Sequence, residues 1–143
     1  MREILFRGKR VDNGEWVYGN LIEDKWGDDN GNTVYAILQD RVAPKMVELW
    51  TPVKVLPETV GQYIGLTDKN GRKIFEGDIV KDKELPRIYM IGYNEDSMKY
   101  AFLYYHKELK NIYCGGFVSK TDGKSIEVIG NIHDNPELLE VMR

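Results

Sequence analysis

His106, His133 and Cys114 are the only imidazole and thiol ligands in the chain, and a transition-metal site would need such groups clustered. The two histidines stand far apart and share no spacing motif, so His133, between Ile132 and Asp134, reads as a turn residue and His106 as a surface strand residue. Asp28 and Asn30 before Gly31 imitate the middle of an EF-hand loop. However, Trp26 occupies its first ligand position and Ile37 the twelfth, where a bidentate Glu belongs, so a plain polar loop explains them better. Cys114-Gly115-Gly116 has a thiol but no helix start and no motif naming a base, and its two glycines suggest a bulge or turn. The carboxylate pairs Asp28-Asp29 and Glu95-Asp96 lie in polar loops, without the apolar surroundings that would shift a proton affinity for acid–base work. The 14 glycines form no phosphate-loop or dinucleotide pattern running from a strand into a helix. The expectation is a chain with no catalytic residues, no metal and no cofactor: not an enzyme.

Binding chemistry is better represented. Six of the nine tyrosines, Tyr89, Tyr93, Tyr100, Tyr104, Tyr105 and Tyr113, fall between Lys81 and Lys120, where seven basic residues meet five acidic ones. Small β-barrels stack bases on such aromatics, and Tyr100, Tyr104 and Tyr105 are the densest group. Tyrosine is also an ordinary strand residue, and an excess of two positive charges is slight. A second patch, Arg2, Arg7, Lys9 and Arg10, opposes only Glu3 and Asp12 and is the more basic of the two. It suits RNA, DNA or an acidic protein surface.

Composition bounds these readings. The 143 residues are 42% hydrophobic, enough for one domain with a real core. A formal net charge of -3 gives no global attraction for nucleic acid, so any polyanion contact must be local. One cysteine excludes an intramolecular disulfide and a cysteine-based zinc site, which fits a reducing cytoplasm. The N-terminus has only three consecutive apolar residues, Ile4-Leu5-Phe6, against the ~7 of a signal-peptide core. No apolar run approaches the ~18 residues of a membrane helix, so no membrane association is expected.

The elements that must position these side chains are strands. Asn70-Gly71 lies between the apolar runs 60–66 and 74–80, a strong hairpin signal. A two-residue type I′ loop would set Leu66 opposite Phe75 and Asp68 opposite Lys73. A type I turn with a G1 bulge sets Leu66 opposite Ile74 and Asp68 opposite Arg72, and it is favoured because Asp68 then starts the turn and Gly71 takes the left-handed position. Ile4-Leu5-Phe6 leads through Asp12-Asn13-Gly14 into a second hairpin whose return strand, 15–22, is apolar on both alternation classes and so reads as central and covered on both faces. Residues 24–32 form an exposed loop before the short strand Thr33 to Leu38. Pro44, Pro52 and Pro57 punctuate Met46 to Trp50 and Val53 to Leu56, an irregular connection with one or two edge strands. Arg87 to Tyr93 reads as strand. Tyr100 to Tyr105 does too on aromatic content, although Ser97 could cap a helix there. Phe117-Val118-Ser119 and Ile126 to Ile132 flank Asp122-Gly123 as a last hairpin. Asn135 as cap and Pro136 at the first position predict a short helix to Val141, held by Leu138 and Leu139.

The chain resembles the YopX family. The similarity rests on Arg2-Glu3-Ile4, Phe6-Arg7-Gly8-Lys9-Arg10, Gly14-Glu15-Trp16-Val17-Tyr18-Gly19, Pro57-Glu58-Thr59-Val60-Gly61-Gln62-Tyr63, the hairpin, Glu76-Gly77-Asp78-Ile79-Val80, and Val128 through Leu139. It is weak over 26–54 and 82–124. The resemblance implies a single YopX-like domain over 1–143, with a subdivision into an N-terminal β region, 1–58, and a barrel, 59–143. It implies a small phage or prophage protein acting in the host bacterial cytoplasm, and it brings no catalytic residues. Glu76-Gly77-Asp78 resembles the start of a strand in small SH3-like barrels, where Gly kinks the chain and Asp bonds turn backbone. Val60-Gly61-Gln62-Tyr63 and Ile129-Gly130-Asn131-Ile132 echo one another, through convergence on a Gly-kinked strand or through pairing of equivalent strands.

Together these readings predict a mainly β protein with a small SH3-like barrel in the C-terminal half, an N-terminal β-hairpin region and a short C-terminal helix. The expected function is that of a noncatalytic accessory protein binding a host or phage protein, with open strand edges that allow a homo-oligomer. The alternative is a small β-barrel nucleic-acid-binding protein.

Overall fold

β-branched and aromatic residues at alternating positions make strands of most segments that carry them. The structure, a computed structural model, describes residues 1–39, 51–84 and 87–141. The edge strand expected within Met46 to Trp50 lies outside the described residues. The chain is mainly β and divides into two compact units, residues 1–63 and 64–143.

In the first unit, β1 (Phe6–Lys9), β2 (Trp16–Asp24), β3 (Val34–Gln39), β4 (Val53–Lys54) and the start of β5 (Gly61–Thr67) form an antiparallel sheet in the order β4-β3-β2-β1-β5. The β1–β2 turn closes as expected. Gly14 N donates to Arg10 O (3.0 Å) and Arg10 N to Glu15 O (2.9 Å), with Gly14 at φ +72°. β2 is central, and one of its faces buries Val17 with Ile37 and Val55. Its other face is not covered as expected, because Tyr18 is 42% and Ile22 38% exposed. The 3-10 turn Pro57–Thr59 is tied to β1 by Lys9 N donating to Thr59 Oγ1 (2.9 Å).

In the second unit β5 turns into β6 (Lys73–Phe75) through the three-residue loop favoured on sequence. Asp68 N donates to Arg72 O (2.8 Å), Gly71 N donates to Asp68 O (3.0 Å), and Gly71 sits at φ +80°. Then β7 (Asp78–Asp82), β8 (Ile88–Asn94), β9 (Lys99–His106), β10 (Asn111–Phe117) and β11 (Ile126–Asn131) build an antiparallel sheet in the order β10-β9-β8-β7-β11. The 100–105 segment is therefore strand. Ile74, Val80, Tyr89, Ile91, Ile126 and Val128 form the core, with Ile64, Leu66, Phe102, Tyr104 and Val118 packed on it.

Three expectations are corrected here. The barrel is not closed, since β10 and β11 stand at opposite edges of an open sheet. The last hairpin is absent for the same reason. Asp122-Gly123 lies in a 3-10 turn, Asp122–Lys124, where Asp122 Oδ2 accepts Ser119 N (2.6 Å), and β11 goes on to pair with β7 from Ile126↔Asp82 to Asn131↔Asp78. Gly123 is needed for close approach rather than for turn dihedrals, because a Cβ there would sit 2.3 Å from Thr67 O. At the C-terminus no α-helix forms: Pro136–Val141 is a 3-10 segment. Asn135 stands at its start, its carbonyl accepting Leu138 N (3.0 Å), while its side-chain Oδ1 accepts Asn131 N (3.2 Å), and six residues are too few to sustain an α-helical ladder unaided. The two echoing glycine strings do not pair with one another, since Gly61 lies opposite Arg7 of β1 and Gly130 opposite Ile79 of β7.

Candidate functional site

The period of two along a strand separates the residues singled out by sequence. On β9, Tyr100, Phe102 and Tyr104 share the core-facing side while Tyr105 points to the other. Tyr100 packs edge-on against Tyr93 (5.3 Å between ring centroids), and Tyr104 lies 6.0 Å from Tyr113 and 6.5 Å from Tyr89. These tyrosines build the sheet and do not form one stacking platform. On β1, Arg7 and Lys9 share a face. The Arg7 guanidinium is 4.6 Å and the Lys9 ammonium 5.5 Å from the centroid of Trp16, which stands opposite Lys9. Arg7 is only 3% exposed, so it serves that stack rather than a passing phosphate. Arg10 turns to the opposite face and binds Asp12 through two 2.8 Å hydrogen bonds, which raise its own pKa and lower that of Asp12. Arg2 is exposed, ahead of β1.

The surface that does assemble lies at the edge strand β10, which composition alone did not single out. Between Lys110 and Lys120 the chain carries no charge, and Ile112, Tyr113 and Phe117 are 51%, 36% and 46% exposed. Among the described residues β10 pairs only with β9, from Asn111↔His106 to Cys114↔Leu103, before a bulge at Gly115 shifts the register to Gly116↔Phe102. Edge strands are ordinarily blunted by charge, proline, short length or a bulge, and the run Asn111 to Cys114 carries neither charge nor proline ahead of its bulge. Register also sets Ile112 beside Tyr105, on the face away from the core. There Met90, Tyr105, Ile112, Ile132, Leu139 and Glu140 line a cavity of about 320 Å³ whose only charged lining residue is Glu140. The signal in the sequence was a seven-residue uncharged strand written around two glycines.

Among the described residues no group of three or more His, Cys, Asp or Glu side chains could hold a metal ion, and no helix is long and apolar enough to cross a membrane. Cys114 is exposed, its thiol 3.6 Å from Gly116 O. The buried carboxylates work for the backbone. Asp78 Oδ2 accepts Phe75 N (2.8 Å), and Asp68 accepts Asn70 N and Arg72 N on Oδ1 (both 2.9 Å) and Val128 N on Oδ2 (3.0 Å). Burial by itself would raise the Asp68 pKa. The Val128, Arg72 and Asn70 N–H donors and the Arg72 charge together outweigh burial, and the pKa is lowered. Exposed Asp28 is likewise lowered, first by the Asn32 backbone N–H, within an ordinary Asx loop.

Comparison with known proteins adds a family and a fold. The family model described as YopX protein matches residues 5–140. Among solved structures the chain is similar to protein EF1440 from Enterococcus faecalis, at 23% identity and a TM-score of 0.52, over 97% of this chain and 99% of that one. No curated protein matches it.

Proposed function

We propose that this chain, which belongs to the YopX protein family, is a noncatalytic phage or prophage accessory protein of the host bacterial cytoplasm that captures an extended segment of a partner protein on the free edge of β10. The observation that supports this reading is the juxtaposition of an uncharged, proline-free edge strand with an apolar cavity walled by that strand's own Ile112. In strand addition, main-chain hydrogen bonds supply affinity and a pocket for alternate side chains supplies specificity. The occupant is accordingly an extended peptide with an apolar side chain for the cavity and a basic residue facing Glu140. A second copy of the chain fits less well. The bulge at Gly115 changes which face each later β10 residue occupies, so symmetric self-pairing beyond Asn111 to Cys114 loses register.

The test is selection of peptides from a random display library on the wild-type protein, followed by anisotropy titration of the winners. Ile112→Lys and Tyr113→Pro should each weaken them at least tenfold, and peptide should slow amide exchange along Asn111 to Cys114. Failure to select any peptide, or equal binding to all three proteins, overturns the proposal.

A further inference from the structure

A second groove, of about 370 Å³, lies at the opposite edge of the C-terminal sheet's core, lined by Leu66, Thr67, Asp68 and Lys69 from the β5–β6 hairpin and by Lys120, Gly123 and Lys124 from the β10–β11 connection. Its walls are locked together by backbone. Lys69 N donates to Ile126 O (3.0 Å), Asp68 Oδ2 accepts Val128 N, and Gly123 passes too close to Thr67 O to admit a Cβ. That locking gathers Lys69 with the sequence-distant Lys120 and Lys124 around one concave surface in a chain whose formal charge is -3.

The nearby carboxylates stay charged, and two of the three are committed to hydrogen bonds with neutral donors rather than to the lysines. Asp68, the only carboxylate in the lining, is 5% exposed and spends both oxygens on backbone N–H groups. Asp122, adjacent to the groove, accepts Ser119 N and Oγ. Glu127 holds Lys69 at 3.3 Å, a half-exposed pair that water and salt screen, while Lys120 and Lys124 make no ion pair with the described residues. No aromatic ring lines the groove to hold a base.

We propose that this groove binds the phosphates of a nucleic-acid backbone without reading its sequence. Flexible point charges with no base-sized partner match a repeating chain of phosphates better than a single nucleotide. The site is distinct from the β10 edge and does not depend on it.

The test is anisotropy of a fluorescein-labelled oligothymidylate titrated with the full chain from 50 to 200 mM salt. Three phosphate contacts on a single strand predict a log–log slope of about -2, hence about an 18-fold loss of affinity across that range. In Lys120→Gln/Lys124→Gln the slope should fall to about -0.7, roughly a threefold loss. Lys107→Gln, in the β9–β10 turn, should behave as wild type, and circular dichroism melts confirm that each variant folds. Three results would overturn the proposal: no binding at 50 mM salt, an unchanged slope in the double variant, or the same reduction with Lys107→Gln. Displacement of bound oligonucleotide by inorganic tripolyphosphate at equal phosphate concentration would replace the polymer with a small free phosphate ligand and refute the nucleic-acid assignment.

Discussion

Replacing Asp68 by alanine should unfold the C-terminal unit more readily than any other single change in its turns, and the size of the effect follows from three hydrogen bonds. The Val128 N–H is buried, so losing its acceptor leaves an unsatisfied donor worth about 1–3 kcal/mol. The Asn70 and Arg72 N–H groups are partly buried, and water replaces part of what they lose, about 0.5–1.5 kcal/mol each. The expected total is about 4 kcal/mol, a fall in melting temperature of about 16–32 °C for a unit of this size. Urea denaturation followed by far-UV circular dichroism measures it, with an unchanged m-value confirming that the same transition is compared. The pH dependence gives a sharper check. The folded-state pKa of Asp68 is lowered, so its contribution is full above the unfolded value, near 3.9, and is lost as pH falls through that value toward the folded one. The gap between wild type and Asp68→Ala should therefore be constant from pH 7 to about 5 and shrink toward pH 3. A loss below about 1 kcal/mol, or a gap that keeps its width down to pH 3, would refute the role assigned to this carboxylate.

Two glycine substitutions separate backbone strain from steric approach. Gly71→Ala meets open space, so only its φ of +80° is penalised, by about 1 kcal/mol in the urea midpoint free energy. Gly123→Ala would set a Cβ 2.3 Å from Thr67 O and 3.1 Å from Leu66, forcing the backbone apart at about 2–3 kcal/mol. Its midpoint should lie below that of Gly71→Ala, and the reverse order would contradict the reading of Gly123 as a close-approach residue.

What was legible in the sequence was local. Asn70-Gly71 with Asp68 two residues before it specified a loop that the structure reproduces, because turn chemistry is decided within five residues. The β-branched and aromatic runs gave β2, β3, β8 and β9 for the same reason. Long-range pairing was not legible. Asp122-Gly123 has the composition of a hairpin turn, but β11 is claimed by β7 through pairs such as Val128↔Val80, and nothing near Gly123 announces that competition. The candidate surfaces were missed on the same account. Lys69 and Lys120 meet only because Asp68 reaches across to β11, and Ile112 becomes a cavity wall only beside Met90 and Leu139.

The residues that carry the family signature are consumed by the fold. Asn131 Oδ1 accepts His133 N and Asp134 N, Asn135 accepts Asn131 N, Asp78 holds Phe75 N, and Gly77 takes a φ of +87°. A substitution at any of these leaves a backbone donor without its partner or strains a turn, so none is free to follow the chemistry of a ligand. Asn111 to Cys114 and the lysines at 120 and 124 are in the opposite position: exposed, and replaceable at small cost to stability. Recognition placed on such segments can be retuned to another partner while the turn set continues to specify the same two sheets.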